Sequence, residues 1–418
     1  MKEFLKTLIP PDILNIYYRA WGAVGALLFL YPSHKLFVVG VTGTKGKSTT
    51  VELIRSVFEG AGLKTAAAST IRFTVGGQSE RNLFKMTMPG RFFLQQFLRK
   101  ARAQGCTHAV IEMTSEGARQ FRHQGLALDA LVFTNLQPEH LESHGGMEAY
   151  AAAKLVLAKH LEESSKRPRY IVANIEDSYG KKFLEVNVEH KAPFSLKDAE
   201  PYNTDGKSVR FVYKGKELFT VPLPGVFNIK NILATLALGE AIGLPLATMR
   251  RTLERQKPIE GRQERVEKGQ PFVVVVDYAH TPDSLKSLYD AYRSKRIVGV
   301  LGSTGGGRDK WKRPLMGKIA DELCAVAFLT NEDPYDEDPE HIVAELARGF
   351  IKKKPHIILD RRAAVREALR EAKPGDAVLI TGKGTDPYIM GPKGTRLEWS
   401  DKKVAEEELA KLGYELAS

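Results

Sequence analysis

The stretch Gly40–Thr50, GVTGTKGKSTT, constrains this chain more than any other part of it. It lies between the apolar run KLFVVGV and the amphipathic run STTVELIRSVFEGAG. These read as a buried strand and a helix closing at glycine. A glycine-rich turn from strand to helix lets backbone N–H groups close around phosphate oxygens at the positive end of the helix. The spacing is unusual. In Gly-x-x-x-x-Gly-Lys-Ser/Thr the first glycine stands five positions before the second, but here that position is Val41 and the glycine is Gly40. The loop is one residue longer. Thr42, Gly43, Thr44, Lys45, Gly46 and Thr49 form or flank it, Lys47 is in reach of β- and γ-phosphates, and Ser48 offers a hydroxyl to Mg²⁺.

Downstream, apolar runs alternate with helical patterns. THAVIEM, ALVFTNL and RYIVANI read as strands, IRFTVGGQSE and VRFVYKGKELF as hairpins, and NIKNILATLALGEAIGLP as a long helix. The polar segment 256–271 carries two prolines, and beyond it the alternation restarts with FVVVVDYA, RIVGVLG, AVAFLTN, HIILD and AVLITGKG. The fold class is therefore α/β: two parallel sheets covered on both faces, in a chain of 418 residues that has room for two to three domains. The expected division is 1–35, a helical leader; 36–258, a central domain; and 259–418, a Rossmann-like C-terminal domain. Ligands of such sheets bind beyond the carboxyl ends of the strands. The candidates are Thr42–Ser48, Glu112–Ser115, Asn135–His140, Asp277–His280, Ser303–Lys310, Asn331–Tyr335 and Gly382–Asp386.

Two lone cysteines, Cys106 and Cys324, give neither a metal spacing nor a disulfide framework, which fits a reducing cytosol. The formal net charge of +12 is spread without a nucleic-acid motif, and no nucleic-acid partner is expected. The leader carries an apolar run from Ala20 to Tyr31, too short to span a bilayer. It admits two readings: a helix docked on the next domain, and an interfacial helix touching a membrane, aided by Lys2, Lys6, Arg19 and Lys35.

Glu112, at a strand end beside the loop, suits a second oxygen ligand for Mg²⁺. His140 follows a strand by a short loop. Lys154 lies among small and apolar residues in YAAAKLVLA; its amine either snorkels or, neutral when desolvated, reacts with CO₂ to a carbamate that binds metal.

GVTGTKGKSTT resembles the phosphate loop of the Mur ligases, the ATP-dependent amino-acid ligases of peptidoglycan synthesis, which share the extra residue. TNLQPEHLESHGGMEAYAAAK resembles their histidine loop and carbamylated lysine, and LPGVFNIKNILATLAL the segment whose asparagines approach adenine. DYAHTPDSL, GSTGGGRDKWKRP, TNEDPYDEDP and GKGTDPY resemble the tripeptide-synthetase branch. The resemblance runs from about Lys35 to Leu412. It implies an ADP-forming amide ligase that adds an amino acid of the lysine or diaminopimelate type to a muramyl-dipeptide-like acceptor through an acyl phosphate. It also implies a central ATP-binding domain and a C-terminal ligase domain that closes over it. Ser48 and Glu112 would hold one Mg²⁺, and His140 with carbamylated Lys154 a second. Asn228 and Asn231 would lie near adenine, Asp277 and His280 near ribose and base, and Arg262 at the hinge. Arg308, Asp309 and Lys310 would be carried over the site, and Thr114, Ser115, Asp333, Pro334, Tyr335, Gly382 and Asp386 would bind substrate. A cytoplasmic monomer is implied, with the leader available to the inner face of the membrane.

The sequence departs from the family pattern in three places. The loop begins at Gly40, where the family usually has about a hundred preceding residues of UDP-sugar-binding domain, so a lipid-linked or undecorated acceptor enters as an expectation. The arginine that grips diaminopimelate is replaced by Tyr335, and Glu332, Asp333, Asp336 and Glu337 form an acidic cluster suited to a cationic side chain. Glu116 and Asp386 stand where histidine and glutamate are usual, and Lys45 where asparagine is. Two other readings stay open: a poly-γ-glutamate or folylpolyglutamate synthetase type of γ-glutamyl ligase, and a non-catalytic ATP-binding protein.

Overall fold

The structure is a computed structural model that describes residues 11–139 and 141–415. Helix α1 (Pro11–Leu28) leads into an eight-stranded sheet of order β4-β3-β2-β5-β1-β6-β7-β8. Its strands are β1 (Phe37–Thr42), β2 (Thr65–Ala68), β3 (Arg72–Val75), β4 (Gln78–Arg81), β5 (His108–Glu112), β6 (Ala130–Phe133), β7 (Tyr170–Asn174) and β8 (His190–Phe194). Six strands run parallel; the β3–β4 hairpin adds an antiparallel edge. Val38 faces one apolar core and Val39 and Val41 the other, because successive strand residues point to opposite sides. Covered on both faces, β1 can be apolar almost throughout.

Helix α2 (Lys47–Gly60) follows β1 through the loop, α3 (Arg91–Ala103) carries α1, and α4 (Met147–Glu162) and α5 (Val226–Ala241) complete the cover near the site. A small antiparallel sheet, β9 (Tyr202–Thr204), β10 (Val209–Tyr213) and β11 (Glu217–Val221), flanks α5. The second large sheet has order β12-β13-β17-β14-β15-β16. It is built from β12 (Glu264–Arg265), β13 (Val273–Asp277), β14 (Ile297–Leu301), β15 (Val326–Leu329), β16 (His356–Ile357) and β17 (Ala377–Thr381). Only β12 is antiparallel. The polar segment 256–271 is therefore not all linker, since part of it forms this edge strand. A hairpin of β18 (Tyr388–Met390) and β19 (Arg396–Glu398) precedes the last helix, Asp401–Lys411. Among the described residues no helix is long and apolar enough to cross a membrane.

The end of β17, which feeds the site, is held by a buried ion pair. Arg361 donates to both carboxylate oxygens of Asp401 at 2.8 and 2.7 Å and to the Thr381 carbonyl at 2.7 Å. Its side chain is 1% exposed, and that of Asp401 fully buried. Arg361→Ala leaves Asp401 charged and dry, and is expected to cost about 3–5 kcal/mol. Urea titration checks this; a loss below about 1 kcal/mol would mean that water relieves Asp401.

Candidate active site

The loop between β1 and α2 is shaped by contacts, not by glycine freedom alone. Gly46 lies at φ 78°, and a Cβ there would run into the side-chain oxygen of Asn231 on α5. At Gly43, φ 148°, a Cβ would strike the Thr134 hydroxyl. The turn after β6 braces the loop from beneath. The Thr44 amide donates to the Asn135 carbonyl (2.8 Å), the Lys45 amide to Asn135 Oδ1 (3.0 Å), and Thr134 Oγ1 to the Lys45 carbonyl (2.7 Å). Thr44 Oγ1 lies 3.1 Å from the Tyr150 hydroxyl. Lys47 opens α2, and its ammonium donates to the Thr44 carbonyl at 2.8 Å. The loop thus presents the N-terminus of a 14-residue helix with a lysine on its first turn, an arrangement that attracts anions.

Parallel pairing sets Val41 opposite Glu112, so a carboxylate arrives beside the loop. Glu112 is 2% exposed; it accepts from Ser48 Oγ at 2.9 Å and from the Thr70 amide and hydroxyl at 2.8 and 3.0 Å. Among the described residues no cation forms an ion pair with it. A buried carboxylate and a hydroxyl, side by side on a cavity wall, fit Mg²⁺, which takes few protein oxygens and keeps its waters. Among the described residues no group of three or more His, Cys, Asp or Glu side chains is placed to hold a metal ion by itself.

Lys154, on α4, is 1% exposed yet lines the same cavity. Its amine donates to the Gly43 carbonyl at 2.7 Å and sits 4.7 Å from the centre of the Tyr150 ring. Burial first, and the charge of Lys47 second, push its pKa well below the ordinary lysine range. A neutral amine that lines a cavity fits reaction with CO₂. His140 lies outside the described residues.

The second sheet closes the cavity, whose volume is about 1250 Å³. Arg262 stacks on Tyr278, 4.4 Å from the ring centre, and reaches Ser48 Oγ at 3.3 Å. Asp277 accepts from the Gln263 and Ala279 amides, which fixes the turn leading to His280. The His280 ring in turn lies 3.1 Å from Glu139. Asp309 accepts from the Glu142 amide and Lys45 lies 3.6 Å from Asp283, so residues of both sheets meet at the loop. Asn228, Asn231, Thr114, Ser115, Arg308, Tyr335 and Gly382 line the cavity as well. Thr42, Gly43, Pro334 and Lys310 do not; Lys310 points to Glu337 at 3.2 Å.

The acidic cluster is already partnered. Asp333 accepts from Lys383 at 2.8 Å and from Lys85 at 2.7 Å, and Lys85 also lies 3.2 Å from Asp386. Burial disfavours both charges, but Asp386 and Asp333 outweigh it at Lys85 and raise its pKa, and Lys383 and Lys85 outweigh it at Asp333 and lower its pKa. Glu337 binds Arg313 at 2.7 Å, Glu332 accepts from Thr304, and Asp336 accepts from the Lys393 amide. The cluster is not a bare acidic surface awaiting a cation. Sequence reading missed Lys85 and Tyr150 as contributors; Asn135 and Lys383 fall inside the strand-end candidates 135–140 and 382–386 but carried no role of their own.

Comparison with known proteins matches residues 41–239 to the Mur ligase middle domain and 261–384 to the Mur ligase, glutamate ligase domain. The UDP-N-acetylmuramoyl-L-alanyl-D-glutamate--2,6-diaminopimelate ligase of Syntrophomonas wolfei is 36% identical, over 90% of this chain and 79% of that protein. The UDP-N-acetylmuramyl-tripeptide synthetase of a Roseiflexus species is 36% identical, over 94% and 82%. A solved diaminopimelate ligase of the same description superposes with a TM-score of 0.62 at 28% identity, over 90% and 79%. The folylpolyglutamate synthase of Mycobacterium tuberculosis shares the fold, with a TM-score of 0.72 at 15% identity, over 88% and 93%.

Proposed function

The chain belongs to the Mur ligase family, and from that premise we propose that it is an ADP-forming ligase that joins an amino acid of the lysine or diaminopimelate type to a muramyl-dipeptide-like acceptor in peptidoglycan precursor synthesis. The observation that carries this reading is the convergence of Lys47, the Ser48–Glu112 pair and the Lys154 amine on one loop.

The acceptor carboxylate takes the terminal phosphoryl group of ATP, the amino group attacks the acyl phosphate, and collapse of the tetrahedral intermediate releases phosphate and leaves the amide. Loop amides, the α2 N-terminus and Lys47 hold the phosphates. Ser48 and Glu112 would hold one Mg²⁺, and a carbamate on Lys154, with His140, would hold a second; bound there, the ions would supply positive charge against the oxygens of the transferring group. Arg119 and Arg122 line the cavity near Ser115, which suits an anionic acceptor. Arg262, Tyr278 and His280 frame the nucleotide end beside Asn228 and Asn231, and Asp333, Tyr335, Gly382 and Asp386 frame the amino-acid end. Closure of 259–418 on 36–258 keeps water from the acyl phosphate. We place this working unit as a single chain in the cytoplasm, with its leader at the inner face of the membrane.

Phosphate release from ATP and Mg²⁺, screened across amino acids with UDP-MurNAc-dipeptide and read together with product masses, tests the proposal. A product heavier by one lysine or diaminopimelate residue is expected. Turnover with glutamate as the sole amino acid would replace this reading with the γ-glutamyl ligase one, and ATP binding without any turnover would leave a non-catalytic protein.

A further inference from the structure

Among the described residues, nine of the 21 exposed large apolar side chains fall between Ile13 and Tyr31. Ile16, Leu27 and Leu28 are 68%, 61% and 60% exposed. The opposite side of α1 is small and seated: Gly22, Gly25 and Ala26 are buried, and a Cβ at Gly22 would run into Gln124. Trp21 meets Phe92 of α3 at 5.5 Å, Arg19 covers Phe121 at 4.7 Å, and Arg91 covers Tyr18 at 4.3 Å. The helix is thus fixed to the body by its narrow face and turns its apolar face outward. Contiguous apolar surface of this kind marks an interaction site.

The charges nearby select the occupant. From residue 13 to residue 36 the sequence has no Asp or Glu but has Arg19 and Lys35, both exposed. Arg99, Lys100 and Arg102 are exposed on α3, the helix that supports α1. Tyr17, Trp21 and Tyr31 place amphipathic rings along the face, as at a membrane–water boundary. At 18 residues, with an arginine in its middle, α1 suits a position in the plane of the interface.

We propose that α1 docks on the surface of an anionic lipid bilayer. The segment it packs against continues from Arg119 and Arg122 in the cavity wall, so docking brings the acceptor end of the cavity to the lipid surface. That last consequence rests on the ligase reading. The docking itself does not, and it is measured without turnover.

The test is flotation of the full chain with phosphatidylcholine vesicles, with and without 30% phosphatidylglycerol. Binding to the anionic vesicles is expected, weakened at least tenfold by Ile16→Gln, Leu27→Gln and Leu28→Gln together, and unchanged by Ile351→Gln, an 86% exposed apolar residue in a bend before β16. The circular dichroism spectrum and the thermal midpoint report folding and stay unchanged in the triple variant. No binding to either vesicle overturns the proposal. So does a dimer in sedimentation that the triple variant dissolves without vesicle binding, which would make a second copy the occupant. Binding only after removal of residues 1–10 would mean that the chain's own N-terminus covers the face, and overturns it as well.

Discussion

Lys154→Ala is expected to lower product formation by about 10²–10³-fold, the scale of losing one preorganised charge-stabilising group, while ATP still binds. The side chain is among the largest fully buried ones in the molecule, yet its amine borders the cavity. Among the described residues a charged ammonium there has no counter-ion at hydrogen-bond distance, since its partner is the Gly43 carbonyl. Burial favours the neutral amine, the form that attacks CO₂ to give a carbamate and a proton. Two roles predict the alanine loss, bracing the loop and carrying the carbamate. Lys154→Gln separates them, because its amide N–H can donate like the amine but cannot be carbamylated. The carbamate role requires that Lys154→Gln stay inactive and that the native protein lose activity in CO₂-depleted buffer and regain it with bicarbonate. A crystal at neutral pH should then show density beyond the amine. A fully active Lys154→Gln reduces the lysine to a brace.

Glu112→Gln is expected to cost a similar factor and to raise the Mg²⁺ concentration needed for half-maximal rate. The amide keeps the size and one acceptor oxygen, so the Thr70 contacts that tie β5 to the neighbouring turn can persist. What disappears is the one carboxylate on Ser48, and with it the charge that draws a hard cation. Titrating Mg²⁺ at saturating ATP gives the answer. An unchanged half-saturation point, even with a slow enzyme, would remove Glu112 from the ligand set.

Local pattern carried the fold a long way. The seven strand ends singled out by the alternation all reach the cavity, because parallel strands in βα units deliver their carboxyl ends to one edge. Glu112 was legible for the same reason, by register against β1. The losses lie where a partner is remote or an element short. HIILD yields only the two-residue β16, and the antiparallel edge β12 does not follow from a rule about parallel sheets, whereas the hairpin read in IRFTVGGQSE forms as β3–β4. The acidic cluster read as open because Lys85, which neutralises part of it, stands 248 residues away in the chain. Its backbone there has φ 48°, a turn that no periodicity announces. The helix Asp401–Lys411 was not read at all, yet its Asp401 anchors the strand that supplies Lys383.

The contacts described between the two sheets' bodies are polar, whereas each body is held by an apolar core. Ionic strength therefore acts on them unequally. Screening shortens from about 8 Å at 0.15 M salt to about 3 Å at 1 M, while apolar burial is left intact. The Lys45–Asp283 pair, with Asp283 half in solvent, feels the salt first, and the sheltered Lys85–Asp333 pair feels it last. The molecule is thus two apolar-cored bodies joined by a polar seam, and added salt is expected to loosen the seam before it unfolds either body.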